Sequence, residues 1–329
     1  MKFGIFGLRH YHIASAAAEL LSLGWECIGV CETKGPQVGR IVKEYGFKVI
    51  SGSEEFFAEK PDMVLCGAVN SEKIDIIELC AEKGVNIMLD KPLVTSPADY
   101  RRLAAAASSG RIKIGMMLTE RFNPPVYTLK KLISSGAVGS PVSFLFDKPH
   151  KLTPASREPW HFDRARNGGP VVDLMIHDFD LMRWFTGSEV KNSAGFIRRG
   201  DRKGYGNFCD DAKLAVLMAN GVTAGFSADW WTPDAYPTFG KGHIVCTGTM
   251  GKLEAYTTGE PAIDSAAAGI VLMSTGSIPQ EVIPCETPEK GLMQDFICMT
   301  RGEPSVISQR DVLAATLASL EADRCCVTV

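Results

Sequence analysis

The order of apolar and polar positions splits the chain into two halves of different period. From the start, short apolar runs alternate with stretches of helical composition. Lys2 to Gly7 is followed by Ala14 to Leu23, Glu26 to Cys31 by Gln37 to Tyr45, and Lys48 to Ile50 by Glu54 to Glu59. Met63 to Cys66 is followed by Glu72 to Lys83, and Asn86 to Leu89 by a helix opened by Ser96-Pro97; Arg111 to Met117 reads as a sixth strand. Repeated strand-helix units of this length predict a doubly wound parallel sheet with helices on both faces. After Gly139-Ser140-Pro141 the period changes. Strands are predicted at Val142 to Phe146, Ala212 to Met218, Val222 to Trp230, His243 to Thr247 and Lys252 to Tyr256, with turn signals at Asn220-Gly221 and Gly248 to Gly251. This half is expected to be an α/β domain with an open, largely antiparallel sheet, closed by helices near Lys290 to Arg301 and Ser308 to Cys325.

At 329 residues the chain exceeds what one core usually organises, so two domains are expected, 1–120 and 121–329, with Glu120-Arg121-Phe122-Asn123-Pro124 as the hinge. Gly168 to Gly187 reads as one helix, with proline near its start and glycine past its end. Most of its side chains are large and apolar, yet Asp173, His177 and Asp180 fall at i, i+4 and i+7 on one stripe. A buried unpaired carboxylate is costly, so the stripe must meet partners, water or a ligand. It reads as an acid/base pair, in which the carboxylate holds the imidazole's tautomer, or as a surface stripe or satisfied core pair. Metal ligation by Asp173 and His177 finds no third ligand at a supporting spacing, and no metal site is expected.

Charge and cysteine usage narrow the class. The formal charge of −3, with Lys and Arg scattered, gives no footprint for nucleic acid. The ten cysteines lie mostly in apolar runs and read as reduced, buried residues. No apolar run approaches the ~20 residues of a membrane span, and Met1-Lys2 leads straight into a strand, so a cytoplasmic protein acting on a small molecule is expected, with no membrane partner.

Candidate binding residues follow from the strand ends. Gly7, Leu8 and Arg9 form the turn after the first strand, and Glu32 closes the second, where an acidic residue accepts hydrogen bonds from an adenosine ribose. That favours NAD over NADP, although Lys34 close by leaves NADP possible. Aligned with Gly-x-Gly-x-x-Gly, the turn keeps only its first glycine; Arg9 and His12 stand at the other two positions. Arg9 could pair with a phosphate, whereas His10 and His12 read as an exposed loop and a helix start. Asn70 and Asp90-Lys91-Pro92 fall at later strand ends, and a partly desolvated Lys91 could exchange a proton with a substrate hydroxyl. The stretch Asp147 to Arg166, with Trp160-His161 in it, could serve as a substrate lid or be an ordinary long loop.

The Gly7 turn, Glu32, Asn70, Asp90-Lys91-Pro92, Arg121-Phe122, Trp160, Gly168-Gly169 and Asp173-x-x-x-His177-x-x-Asp180 occur in an order and spacing that resembles the glucose-fructose oxidoreductase and inositol dehydrogenase (Gfo/Idh/MocA) family from end to end. The resemblance implies an N-terminal Rossmann domain, a C-terminal α/β domain, and hydride transfer between nicotinamide and a CH–OH of a sugar or cyclitol. The family's Glu-Lys-Pro falls on Asp90-Lys91-Pro92 and its Asp-x-x-x-His on Asp173 and His177; Lys73 stands where many relatives carry a histidine. On this basis Lys91, Asp173 and His177 are the expected catalytic residues, His177 as base, Lys91 on the same oxygen, and Asp173 on a neighbouring hydroxyl or on the histidine. Asp180 could support His177. Gly7, Leu8, Arg9, Glu32, Asn70, Lys91 and Pro92 are expected at the cofactor, and Lys91, Arg121, Trp160, His161, Asp173 and His177 at the substrate. A binding or sensory protein on the same fold and a lyase or epimerase using NAD transiently are the alternatives. The open second sheet points to a homo-oligomer, dimer or tetramer.

Overall fold

A computed structural model of the protein describes residues 1–32, 34–200, 205–260, 263 and 268–329. Its strands are β1 (Lys2–Leu8), β2 (Glu26–Cys31), β3 (Met63–Gly67), β4 (Asn86–Leu89), β5 (Ile114–Met116), β6 (Pro141–Pro149) and β7 (Val190–Arg199), followed by β8 (Cys209–Met218), β9 (Thr223–Asp229), β10 (His243–Gly248), β11 (Gly251–Tyr256), β12 (Ile270–Thr275), β13 (Glu281–Ile283) and β14 (Cys326–Thr328). The α-helices are α1 (Ile13–Ser22), α2 (Pro36–Tyr45), α3 (Ser53–Ala58), α4 (Lys73–Lys83), α5 (Pro97–Ser108) and α6 (Pro124–Ser134), then α7 (Arg164–Asn167), α8 (Gly169–Asp173), α9 (Ile176–Thr186), α10 (Leu292–Thr300) and α11 (Gln309–Cys325). Among the described residues no helix is long and apolar enough to cross a membrane.

The chain divides into two units. The first comprises Met1–Leu118, Glu158–Gly168 and Lys290–Leu317; the second comprises Thr119–Arg157, Gly169–Glu289 and Ala318–Val329. The expected cut after residue 120 therefore has its counterpart at Leu118/Thr119, but the first unit also claims two later segments that periodicity does not reveal.

In the first unit β1 to β5 form a parallel sheet in the order β2-β1-β3-β4-β5. Both faces are covered, so β3 is buried along its whole length and β4 at three of its four residues. The expected strand at Lys48 to Ile50 is a single bridge, Val49 to Val30, because Lys48 and Val49 face solvent and only Ile50 is buried. The expected strand Arg111 to Met117 shortens to β5. The order places β1 beside β3, the point at which successive connections turn to opposite sides and a crevice opens.

In the second unit nine strands run in the order β13-β12-β11-β10-β6-β9-β8-β7-β14. Neighbours are antiparallel except β6 with β9 and β7 with β14. Burial alternates along β8 and β9, so one face of the sheet is apolar and covered. Phe226 of β9 meets Phe146 of β6 and Phe179 of α9 edge-on, each at 5.1 Å between ring centres, and α8 lies against β8 and β9. Strands β7, β12, β13 and β14 lie outside the periodicity reading. Just one residue of β7, Ile197, is buried, and β13 and β14 are three residues each.

The expected single helix over Gly168 to Gly187 is corrected to two. The Pro170 carbonyl accepts from both Leu174 (3.0 Å) and Met175 (3.1 Å), which widens the turn and ends α8, and α9 starts afresh at Ile176. Asp173 therefore closes one helix while His177 and Asp180 open the next.

Candidate active site

The crevice of the first unit is built by residues at the carboxyl ends of β1, β2 and β3. It measures about 480 Å³ and is lined by Phe6, Gly7, Cys31, Glu32, Ala68 and Glu72, among others. Gly7 has a φ of 79°, and a Cβ there would stand 2.6 Å from the Ala68 Cβ, so a glycine is required. Leu8 is fully buried and can contribute only its backbone. Glu32 lies at the rim, its carboxylate accepting from the Lys34 amide at 2.9 Å. The volume of the crevice, its close-approach glycine and its rim carboxylate fit the adenosine half of a dinucleotide. Arg9 does not stand ready for a phosphate as expected. Its guanidinium holds the Glu158 carboxylate, with Nε to Oε1 at 3.0 Å, because that carboxylate lies within reach of both guanidinium edges.

The Asp90-Lys91-Pro92 turn follows β4 and is fastened from beneath. Lys73 Nζ, fully buried, donates to the carbonyls of Asp90 (2.7 Å) and Pro92 (2.9 Å) and to Asn70 Oδ1 (2.9 Å). Asn70, expected at the cofactor, is 3 % exposed and donates to the Asn167 carbonyl at 2.9 Å. Its side chain is thus built into the fold. Lys91 is half-buried, and its amide donates to Asp90 Oδ1 at 2.8 Å. His10 lies in the loop and His12 is the exposed residue that opens α1, as expected, but both also address Asp90. His10 Nδ1 pairs with Asp90 Oδ2, and His12 Nδ1 lies 3.6 Å from Oδ1. Burial works against the Asp90 charge, but the two imidazoles outweigh it and hold the carboxyl well below the usual range.

Trp160 and His161, expected at the substrate, belong to the first unit and are 5 % and 4 % exposed. His161 Nδ1 lies 3.4 Å from Asn167 Nδ2, and the two rings meet edge-on. They pack the segment Glu158–Gly168 and do not form a solvent-facing lid.

In the second unit His177 is half-exposed at the start of α9 and Asp173 is buried at the end of α8. Asp180, one turn further along, is engaged by Arg121. Both its oxygens accept from Arg121, at 2.8 and 2.7 Å, in a fork in which each side chain is 2 % exposed. Arg121, expected at the substrate, is buried in this pair.

Spacing did not reveal a second charged group beside them. Lys148, at the end of β6, pairs with Glu120 and, at 2.6 Å, with Asp178 Oδ1. Burial pushes the Asp178 carboxyl up to about 7 against the pull of Lys148, and Glu120 pushes the same way. Burial would also raise Glu120, but Lys148, His177 and His150 together hold it below the ordinary value. Glu120 is therefore a carboxylate within electrostatic reach of His177. Arg157 lies 4.5 Å over the Trp230 ring and feels the Asp173 charge. The sequence signal for these residues is their polarity in otherwise apolar surroundings, because their partners lie tens of positions away, Asp178 30 positions from Lys148 and Trp230 73 from Arg157.

Residues 1–116 match the oxidoreductase family with an NAD-binding Rossmann fold, and residues 126–254 match the GFO/IDH/MocA C-terminal domain. The chain is similar to a myo-inositol 2-dehydrogenase of Thermotoga maritima, with 25 % identity over 232 residues, or 68 % of this chain and 66 % of that protein. It is also similar to the myo-inositol dehydrogenase Hyg17 of Streptomyces leeuwenhoekii, with 26 % identity over 255 residues, or 76 % of this chain and 75 % of that protein. The aligned region thus spans about two thirds to three quarters of those relatives. A solved structure from Erwinia carotovora atroseptica superposes with a TM-score of 0.92 at 21 % identity, covering 100 % of this chain and 99 % of that one, which shows the fold. With both halves matched in order, the chain belongs to the Gfo/Idh/MocA family of NAD-binding oxidoreductases.

Proposed function

We propose that the protein transfers hydride between NAD(H) and a CH–OH carbon of a cyclitol, sugar or sugar derivative, with His177, Lys91 and Asp173 as its proton-handling groups. The observation that carries this reading is His177. A half-exposed imidazole stands at a helix start, next to a buried carboxylate and within electrostatic reach of Glu120, and imidazole is the side chain suited to proton exchange near neutral pH. When bound, nicotinamide supplies the hydride acceptor or donor. His177 takes the hydroxyl proton, Lys91 donates a hydrogen bond to the same oxygen as negative charge develops, and Asp173 accepts from a neighbouring hydroxyl or fixes the imidazole. Two similar relatives are inositol dehydrogenases by name, which supports a polyhydroxylated ring as substrate.

Glu32 favours NAD, since its carboxylate can accept from ribose hydroxyls and would repel a 2′-phosphate. NADH and NADPH titrations by fluorescence, with Glu32→Ala alongside, test this. NADH-selective binding that weakens in the variant is expected; equal binding of both nucleotides refutes the preference. For catalysis, His177→Ala and Lys91→Ala should each lower turnover on cyclitols by about 10²–10⁴-fold while NADH affinity stays within a few-fold. Wild-type turnover in both would refute the assignment. One observation favours a binding protein without turnover: Arg9 is engaged by Glu158 and the phosphate turn has a single glycine. Failure to bind either nucleotide would establish that reading.

Self-association is part of the same proposal. Leu145, Phe196 and Val327 of the nine-stranded sheet are 47 %, 58 % and 57 % exposed, and a second copy of the chain would cover them.

A further inference from the structure

Two imidazoles and a carboxylate converge in the first unit, beside Lys91 but including none of the residues assigned to proton transfer. Among the described residues, His10, His12 and Asp90 are a group whose ligand atoms all lie within 4.8 Å of one another. We propose that they bind one divalent transition-metal ion of the zinc or cobalt class.

The geometry is that of a chelate. His10 and His12 flank Tyr11, whose hydroxyl is bonded to Glu44 and whose ring lies 3.7 Å beneath the Arg40 guanidinium. With the tyrosine held on α2, both imidazoles address the carboxylate, their ring centres 4.0 Å apart and inclined at 71°. Each Nδ1 faces its own oxygen of Asp90. An ion with ~2.1 Å bonds in tetrahedral geometry separates its ligands by about 3.4 Å, and His12 Nδ1 already stands 3.6 Å from Oδ1. The His10–Asp90 hydrogen bond would open as the ion enters, the imidazole then binding through Nδ1 and carrying its proton on Nε2.

The frame around the donors is fixed. Asp90 is 1 % exposed, its amide donates to the Cys66 carbonyl at 2.9 Å, and its Oδ1 accepts from the Lys91 amide, an outer partner of the kind that orients a ligand. The amides of Arg9 and His10 both donate to the Gly67 carbonyl, at 2.7 and 2.8 Å. Gly67 is itself needed, because a Cβ there would stand 2.6 Å from the His10 carbonyl oxygen. His12 is 61 % exposed at its side chain, so the remaining coordination positions open to water. Two His and one carboxylate with open positions suit borderline transition metals. The Lys73 ammonium donates to the carbonyls of this turn and the Lys91 charge reaches His10, so both oppose an ion held by charge alone, which disfavours magnesium and calcium.

The test is a cobalt(II) titration of the full chain without nucleotide, followed by visible absorption, with zinc binding measured by calorimetry. One ion per chain is expected, with no thiolate-to-cobalt charge-transfer band. Both His12→Ala and Asp90→Asn should weaken binding by at least ~10-fold, and zinc should raise the melting temperature of the wild type but not of His12→Ala. Because His12 is exposed, that variant keeps the test valid even if Asp90→Asn does not fold. Absence of binding, unchanged affinity in His12→Ala, or a thiolate band from the cysteines would each overturn the proposal. None of these readouts depends on hydride transfer.

Discussion

The two sheets bury their charges in opposite ways. In the five-stranded parallel sheet, both faces are apolar and the buried ionisable groups gather at strand ends, where Lys73 is met by carbonyl oxygens and Asp90 by imidazoles. In the nine-stranded sheet, one face is open and charges sit under helices as ion pairs, Arg121 with Asp180 and Lys148 with Glu120 and Asp178. A parallel sheet leaves polar groups nowhere to go except its ends, which is also where ligands bind. A half-covered sheet lets charge enter from the covering helix, and its structural and functional charges become harder to tell apart.

This contrast can be broken by mutation. The largest stability effect is expected at Arg121. Arg121→Ala leaves the Asp180 carboxylate buried without its fork and should cost about 3–5 kcal/mol in urea unfolding. The double variant Arg121→Met with Asp180→Leu should recover most of that loss, since a buried ion pair is often replaceable by hydrocarbon. A single-variant cost below ~1 kcal/mol would mean that the pair carries little. Lys73→Met should be milder. It leaves buried carbonyl oxygens without a donor, at about 1–3 kcal/mol, and should raise the KM for NADH more than it lowers kcat if the turn it fastens supports the cofactor.

Acidity distinguishes the regions more finely. Asp90 has a folded pKa below the unfolded value of about 4, so the unfolded chain binds more protons there. Its contribution is present above pH ~4 and is lost as pH falls through the folded value; Asp90→Asn should flatten the acid limb of a stability–pH curve. Asp178, at about 7, lies above the unfolded value, so the folded chain holds the extra proton. Stability from this group therefore falls as pH rises from about 4 to about 7, and Asp178→Asn should flatten that window. Matching slopes in the two variants would erase the distinction. The smallest effect on stability is expected for Phe196→Asp, an exposed position, which should instead lower the mass seen by light scattering.

How far each region was readable follows from the same contrast. Strands β1 to β4 are runs of apolar residues with helices between them, and the alternation alone located them, along with Gly7 and Glu32 at their ends. The break between α8 and α9 has no glycine or proline at Leu174-Met175, so the sequence carries no sign of it. Pairings such as Arg9 with Glu158, 149 positions away, or His10 with Asp90, 80 away, exist only once the fold brings them together. For that reason spacing offers Arg9 to a phosphate where the structure pairs it with Glu158, and it gives no sign that His10 and His12 meet Asp90.

The first unit is assembled from three separate stretches of chain, and this sets an order on its making. The Glu19 carboxylate accepts from the amides of Met293 and Gln294, at 2.9 and 3.0 Å, and so caps α10, while Gln309 Oε1 accepts from the amide of Ile114. As the chain leaves the ribosome, the strands of the first sheet emerge together, but their last partners follow only after Thr119 to Glu289 has been made. At ~5–20 residues per second that interval is on the order of ten to thirty seconds. During it the nascent sheet has an unfinished flank, so a nascent chain stalled before residue 290 should be cut by protease in the first 118 residues, whereas the released protein resists.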